Sequence, residues 1–446
     1  MQTRSLTAWR PAGLAATLLA LTLTQHPPAL ADEGMWLYNA PPTRILAEKH
    51  GFTPTAAWLE RVRRSSVRFN SGGSGSLVSE DGLVLSNHHV GADALQKFGD
   101  ARHDYLKTGF YARTRAEEKK CHDLELNVLM GIEDVTARVN AAVTAAMTPE
   151  EAAAARRAVM AKIEKEAAEQ SGLRCDVVTL YQGGQYHLYR YHRYTDVRLV
   201  FAPEQQIAFF GGDPDNFEYP RFNLDICLFR AYENGKPVKV EHYLPWAGAG
   251  VREGDLVFVS GHPGNTSRQL TMAELEYLRD TRFPYVLQRL HRLEVLLSSW
   301  SERSQENGRR ARDLLFGVQN GRKARTGMLN GLLDPELIKA KQAQENRLRT
   351  AAASLPEGQA ISAAWNQVAQ AQQAIARLNL DHLLLEQAHA SAARTLASPA
   401  RCCGRRTSGT NPTGSGCGSS GIPTGLPSSW GFSQRNRCMT TWKPCC

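Results

Sequence analysis

Residues 71–90 read SGGSGSLVSEDGLVLSNHHV. Two short apolar runs, around Leu77-Val78 and Leu83-Val84-Leu85, flank Asp81-Gly82. Alternating apolar residues on either side of an Asp-Gly pair predict a β-hairpin, because glycine supplies the positive φ that a tight turn demands. The Gly/Ser run before the hairpin predicts a turn. The second strand ends in Ser86-Asn87 and delivers His88 and His89. An isolated pair of histidines is more often structural or on the surface. A histidine is suited to proton transfer, since its ordinary pKa lies near neutral pH. His88, its neighbour, points elsewhere.

The stretch resembles the histidine-bearing hairpin of trypsin-fold peptidases. A histidine base needs a buried carboxylate on its far ring nitrogen. In that fold the carboxylate opens a strand of the form Asp-Ile-x-Leu, and residues 225–230 read DICLFR. Asp225 is the candidate, although an Asp before an apolar strand is commonplace by itself. Further strand signals fall at 176–182, 194–201, 225–231 and 256–260. Residues 149–171 (PEEAAAARRAVMAKIEKEAAEQS) predict one helix, with Pro at its start. The expected fold is therefore mainly β: a trypsin-like (chymotrypsin-fold) β-barrel over residues 32–271. Beyond that, 272–318 and 334–397 carry helical spacing, with Leu293, Val295, Leu296 and Leu297 on an apolar face. Part of an α-helical domain is expected over 272–398, with a second barrel absent.

Between His89 and Asp225 lies FFGGDPDNFEYPRF, residues 209–222. It is similar to the Phe-Gly-Gly-Asp-x-Asp-Asn-aromatic segment of the bacterial dipeptidyl-peptidase 7 and 11 family. The hairpin stretch, YRYHRYTDVRLVFAPE (189–204) and FVSGHPGNTSRQLT (258–271) add to the resemblance, which covers roughly residues 33–397. It implies an exported serine peptidase that removes dipeptides from free N-termini, with a double barrel, a helical insertion and a homodimer. His89 then matches the base, Asp225 the triad carboxylate and Asn216 the amide that holds the substrate's terminal amine. The aromatic beside that asparagine is usually Trp and is Phe217 here, which keeps an apolar wall but loses an indole N–H.

Read without the family, Asn216 could equally close an Asx turn in a Gly/Asp/Pro loop. Asp213 and Asp215 lack the ligand spacing of an EF-hand, so no metal is assigned and no cofactor is expected. The resemblance places the nucleophile, a serine in a Gly-Asn-Ser-Gly turn, beyond residue 446. Ser74 and Ser76 precede His89 and belong to the hairpin. Ser419 and Ser420 in GCGSSG lack the matching Asn. The expectation is a chain with no nucleophile of its own, and therefore inactive.

The ends of the chain differ from its body. Arg4 and Arg10, the apolar run Leu14–Leu23 and Ala29-Leu30-Ala31 predict a cleaved signal over 1–31, hence export to the periplasm or surface of a Gram-negative bacterium. No later stretch is apolar enough for a membrane helix. Of the net charge of +9, six Lys or Arg fall after residue 400 and two before residue 32, each set without an acid. The body is left near neutral, which argues against a nucleic-acid partner. Residues 399–446 hold six of the nine cysteines and no acid, and show neither strand nor helix period. They could be a cysteine-stapled miniature domain, a disordered tail or an out-of-frame translation; an aberrant, disordered tail is expected. An exported chain permits disulfides, and Cys121–Cys175 is the preferred pair, with Cys227 an inert buried thiol. Two rivals remain open: a periplasmic trypsin-like endopeptidase and a non-catalytic peptide-binding remnant.

Overall fold

The computed structural model describes residues 34–100, 102–209, 215–218, 221–264, 267 and 269–386. The signal over 1–31, Asp213 and the tail over 399–446 lie outside them. The chain divides into two compact units, one holding the residues up to Pro54 with Ala247–Val259, the other Thr55–Trp246 and everything from Ser260.

In the first unit, helix α1 (Thr43–His50) closes on Gly51, whose φ of 61° forms the left-handed cap. Phe52 packs on Phe258 with ring centres 5.4 Å apart. The expected strand at 256–260 does not form. The side chains of Leu256, Val257, Phe258 and Val259 are all exposed. An apolar run is a strand only where a neighbouring backbone takes its hydrogen bonds in a ladder, and 256–260 is not part of one.

The second unit opens with α2 (Ala56–Ser65), β1 (Ser66–Phe69), β2 (Ser74–Leu77), β3 (Leu83–Ser86), α3 (His88–Phe98) and α4 (Tyr105–Thr108). It continues with β4 (Phe110–Tyr111), β5 (Lys119–Cys121), β6 (Leu126–Asp134), α5 (Thr136–Asn140), α6 (Pro149–Ser171) and β7 (Arg174–Leu180). Then come β8 (Gln185–Tyr194), β9 (Asp196–Ala202), β10 (Cys227–Glu233) and β11 (Lys236–Pro237). Helices α7 (Met272–Tyr277), α8 (Phe283–Ser301), α9 (Gln305–Leu333), α10 (Pro335–Ala353) and α11 (Gly358–Asp381) follow.

The strands form one antiparallel sheet in the order β4-β9-β10-β3-β2-β1-β6-β8-β7, with β11 on β10 and β5 on β9. The hairpin is as its residues dictate. Ser76 faces Leu85 and Leu77 faces Val84, and Gly82 takes a φ of 73°. Strands β2 and β3 alternate half-buried and buried positions, the period-2 pattern of a sheet with one face in the core. Gly75 is obligatory for a different reason, since a Cβ there would lie 2.8 Å from the Phe69 ring and 2.9 Å from the Leu85 carbonyl oxygen.

The expectation of a mainly β, trypsin-like barrel is corrected. Among the described residues helix outweighs strand, and the sheet is an open path ending at β4 and β7. A hairpin and an Asp-led strand are local signals; they fix neighbouring pairs and say nothing about whether a sheet closes.

Two cores flank the sheet. The first gathers Val67, Phe69, Val84, Leu126, Leu199 and Phe229, with the Phe69 and Phe229 rings 5.4 Å apart. In the second, Ile163 and Ala167 of α6 pack on Val177 and Leu188 of the β7–β8 hairpin. Helix α6 has the bounds its sequence predicts. Thr148 and Glu151 cap each other's backbone N–H, Pro149 sits in the first turn, and Gly172 stops the helix with φ 66°. Over 272–386 the expected helices form. Of the expected apolar face, though, Val295 and Leu296 are exposed while Leu293 and Leu297 are half-buried. No helix among the described residues is long and apolar enough to cross a membrane.

Candidate active site

Strands β3 and β10 are neighbours, with Cys227 opposite Ser86. The residues just beyond each end therefore meet. Asn87 leaves β3 in an extended conformation and begins α3. Its amide Nδ2 donates to the Asp225 carbonyl oxygen and to Asp225 Oδ2, both at 3.1 Å. Asp225 Oδ1 accepts the backbone N–H of His89 at 3.0 Å, and Oδ2 lies 2.7 Å from His89 Nδ1. One carboxylate thus holds both the ring and the first turn of a helix, where backbone N–H groups and the helix dipole favour an anion.

The electrostatics follow from this geometry. Burial works to raise the Asp225 pKa, but the hydrogen bond and charge of His89 and the helix N–H outweigh it, so the carboxyl sits below its ordinary range. An ionised carboxylate only accepts. Nδ1 of His89 therefore carries the proton in this contact, and Nε2 becomes the acceptor nitrogen, the state a general base needs. His88 points the other way and is buried. Burial lowers its pKa; its ring hydrogen-bonds the Pro203 carbonyl, and its Nε2 has no partner.

The loop leading into Asp225 is fastened to the helices. Asn216 is fully buried; its Nδ2 donates to Asn320 Oδ1 at 2.8 Å and its Oδ1 accepts from Arg221 at 2.8 Å. Arg221 also reaches the Phe209 carbonyl at 3.4 Å. The Phe209 ring meets Phe316 edge-on at 4.8 Å, and Glu218 pairs with Lys323 at 2.9 Å. Phe316, Asn320 and Lys323 lie four and three residues apart on α9, so one helix face pins the loop at three points. Phe217 is held at φ 62° and is exposed.

The structure thus brings His89 and Asp225 into contact and places Asn216 and Phe217 on the loop before Asp225. It does not form the expected Cys121–Cys175 disulfide. Both are free buried thiols, Cys121 in the first core and Cys175 in the second. Burial pushes the Cys121 thiol up to about 12 and raises that of Cys227, also free, well above its ordinary value. Oxidising surroundings permit a disulfide only where two Cβ atoms approach. Sequence reasoning missed Asn320. The available signal was an Asn-Gly pair, poor helix formers, inside a long helical run. Among the described residues no cluster of three His, Cys, Asp or Glu is arranged to hold a metal.

An imidazole oriented by an ionised carboxylate is a hydrolase-type acid–base pair. The chain belongs to the peptidase S46 family, whose model matches residues 31–410. It is 31% identical over 353 residues to dipeptidyl-peptidase 7 of Phocaeicola vulgatus, covering 74% of this chain and 49% of that protein. It is 34% identical over 269 residues to the Asp/Glu-specific dipeptidyl-peptidase of Porphyromonas endodontalis, covering 55% of this chain and 38% of that one. The crystal structure of Porphyromonas endodontalis DPP11 in complex with the dipeptide Arg-Asp matches with a TM-score of 0.66 and 25% identity, covering 80% of this chain and 54% of that one. The fold is that of this peptidase, and the trypsin-fold expectation gives way to it. The chain spans about half the length of the first of these relatives and of the DPP11 structure.

Proposed function

We propose that this chain carries the proton-transfer and amine-recognition residues of a serine-type dipeptidyl aminopeptidase, which releases dipeptides from free peptide N-termini. The observation that carries the reading is the 2.7 Å contact between His89 Nδ1 and Asp225, set at the start of a helix by a carboxylate that also takes the His89 backbone N–H. In this reading His89 takes the proton of an attacking serine and returns it to the leaving amine, while Asp225 stabilises the imidazolium that forms between the two steps. The amide oxygen of Asn216 has a second lone pair beyond the one Arg221 uses. In this reading that lone pair receives the substrate ammonium once the loop shifts to expose the buried Asn216, with Phe217 as an apolar wall. The reading requires a serine and oxyanion donors in addition to these residues. Export to the periplasm or cell surface is part of the same reading.

The test uses the purified chain and a labelled dipeptide in two forms, one with a free amine and one N-acetylated. The free amine binds, the acetylated form does not, and Asn216→Ala removes the difference. Equal binding of the two forms by the unmodified chain sinks the amine reading. Turnover is expected when a segment bearing the serine is supplied, and is lost in His89→Ala.

A further inference from the structure

His88 is the first residue of α3, next to His89, and its side chain is buried. Burial pulls its pKa below the ordinary value, against the raising effect of Asp225 and Glu204, so near neutral pH the ring carries one proton. Among the described residues Nε2 has no hydrogen-bond partner. The proton therefore sits on Nδ1, which donates to the Pro203 carbonyl. A buried acceptor without a partner destabilises the fold, and an apolar side chain of similar size would avoid that cost. What a histidine adds at this position is the bond from Nδ1.

That bond reaches a fixed wall. Pro203 directly follows β9 and, lacking an N–H, offers the helix only its carbonyl. A Cβ on Gly109 would lie 2.9 Å from the Ala202 carbonyl oxygen and 3.0 Å from the Glu204 nitrogen, so the chain here lies hard against the end of α4. The Gln205 N–H donates to the Leu106 carbonyl of α4 at 2.8 Å. Two residues on, the Ile207 carbonyl accepts the N–H of Leu224 at 2.8 Å. Leu224 directly precedes Asp225. Residues 203–207 thus hold His88 at one end and Leu224 at the other, the neighbours of His89 and of Asp225. The His89–Asp225 contact is closed into a ring by this strap.

Resting on the acid–base reading of that pair, we propose that His88 is a positioning residue: through the Pro203 carbonyl it ties the first turn of α3 to residues 203–207 and holds the His89 ring in register with Asp225. It takes no direct part in proton transfer. The consequence is a tautomer. With Asp225 Oδ2 in reach, the proton of neutral His89 rests on Nδ1. A ring that turns away from the carboxylate can carry it on Nε2 instead, and the acceptor nitrogen of the base is lost.

The experiment reads the ring nitrogens of His89 by NMR in the purified chain, in mildly alkaline buffer, with His89→Ala to assign the signals. Two variants are compared. The amide of Asn lies where Nδ1 does and can still donate to Pro203; that of Gln lies further out, where Nε2 does. In the unmodified chain the Nδ1-bound proton is expected to dominate. In His88→Gln that form should fall to the minor one, and in His88→Asn it should persist. Leu224→Pro removes the N–H at the other end of the strap and alters only an exposed side chain, and it should act as His88→Gln does. Persistence of the Nδ1-bound form in His88→Gln overturns the inference. So does its loss in His88→Gln and His88→Asn alike, because the buried ring would then matter for packing alone. If His88→Gln does not fold, Leu224→Pro decides, and an unchanged tautomer there overturns the inference. An unmodified chain without the Nδ1-bound form refutes the His89–Asp225 pairing itself, and with it both the proposed function and this inference; failure in the variants alone leaves the proposed function standing.

Discussion

The His89–Asp225 pair and the Asn216 loop, the two halves of the proposed site, are built in opposite ways. The pair is assembled by neighbouring strands: β3 and β10 share a ladder, and their ends bring Asn87, His89 and Asp225 together within one hydrogen-bonded cluster. The loop borrows its geometry from α9, about a hundred residues further along the chain, through Phe316, Asn320 and Lys323. Ladder pairing is cooperative and backed by a core, so a fault there should spread. A side-chain seam on a helix should fail one contact at a time.

The largest effect tests the ladder. Phe229 of β10 is fully buried against Phe69 of β1, two residues past the strand start that Asp225 leads into. Phe229→Ala should cost about 3–5 kcal/mol and lower the thermal midpoint of the sheet and the site together. A loss confined to the sheet, with His89 ring signals unchanged, would break the claim that pair and ladder are one unit.

Asp225→Asn comes next, at about 1–3 kcal/mol for a buried acceptor lost to a helix N–H and an imidazole. Its pH dependence has a definite sign. The folded carboxyl lies below its ordinary value, so its contribution is fully present above about pH 4–5, where the unfolded Asp is ionised, and is lost as pH falls through the lower folded value. The stability gap between the two proteins, measured by denaturant titration, should be constant near neutrality and shrink in acid. A gap that widened in acid would contradict the assignment of Asp225 as the depressed group.

The contrast between the halves also explains what the sequence could say. The hairpin was legible because Asp81-Gly82 and period-2 burial are local, and α6 because its capping box and Pro149 mark its own ends. The contact of His89 with Asp225 was legible because each lies just outside a readable strand, His89 past the end of β3 and Asp225 before the start of β10. Sheet closure was not legible, since closure is a relation among strands far apart in sequence. The run at 256–260 shows the same limit: apolar residues alone cannot tell a paired strand from an exposed extended segment. Cys121 and Cys175 looked pairable from their compartment alone, but they lie in separate cores. Asn320 was invisible because nothing near it in sequence refers to residue 216.

Asn320→Ala removes one neutral hydrogen bond from Asn216 and should cost about 1 kcal/mol in stability. Its larger effect should be on the preference for free over acetylated dipeptides, since the amide of Asn216 loses the acceptor that orients it. A stability loss with the preference intact would show that the loop is held by the remaining contacts and that Asn320 only packs.

The smallest effect is the most discriminating about the seam. Glu218 and Lys323 meet at 2.9 Å with Glu218 largely exposed, so Glu218→Lys should cost well under about 1 kcal/mol, within the range of surface pairs. Lys323→Glu should do the same, and the double exchange should restore both stability and the free-amine preference. That rescue separates a contact that positions the loop from charges that merely decorate it, because swapped charges keep the pair while changing each side chain. If each single variant leaves the preference untouched, Phe316 and Asn320 carry the seam, and α9 fixes the amine loop at two points instead of three.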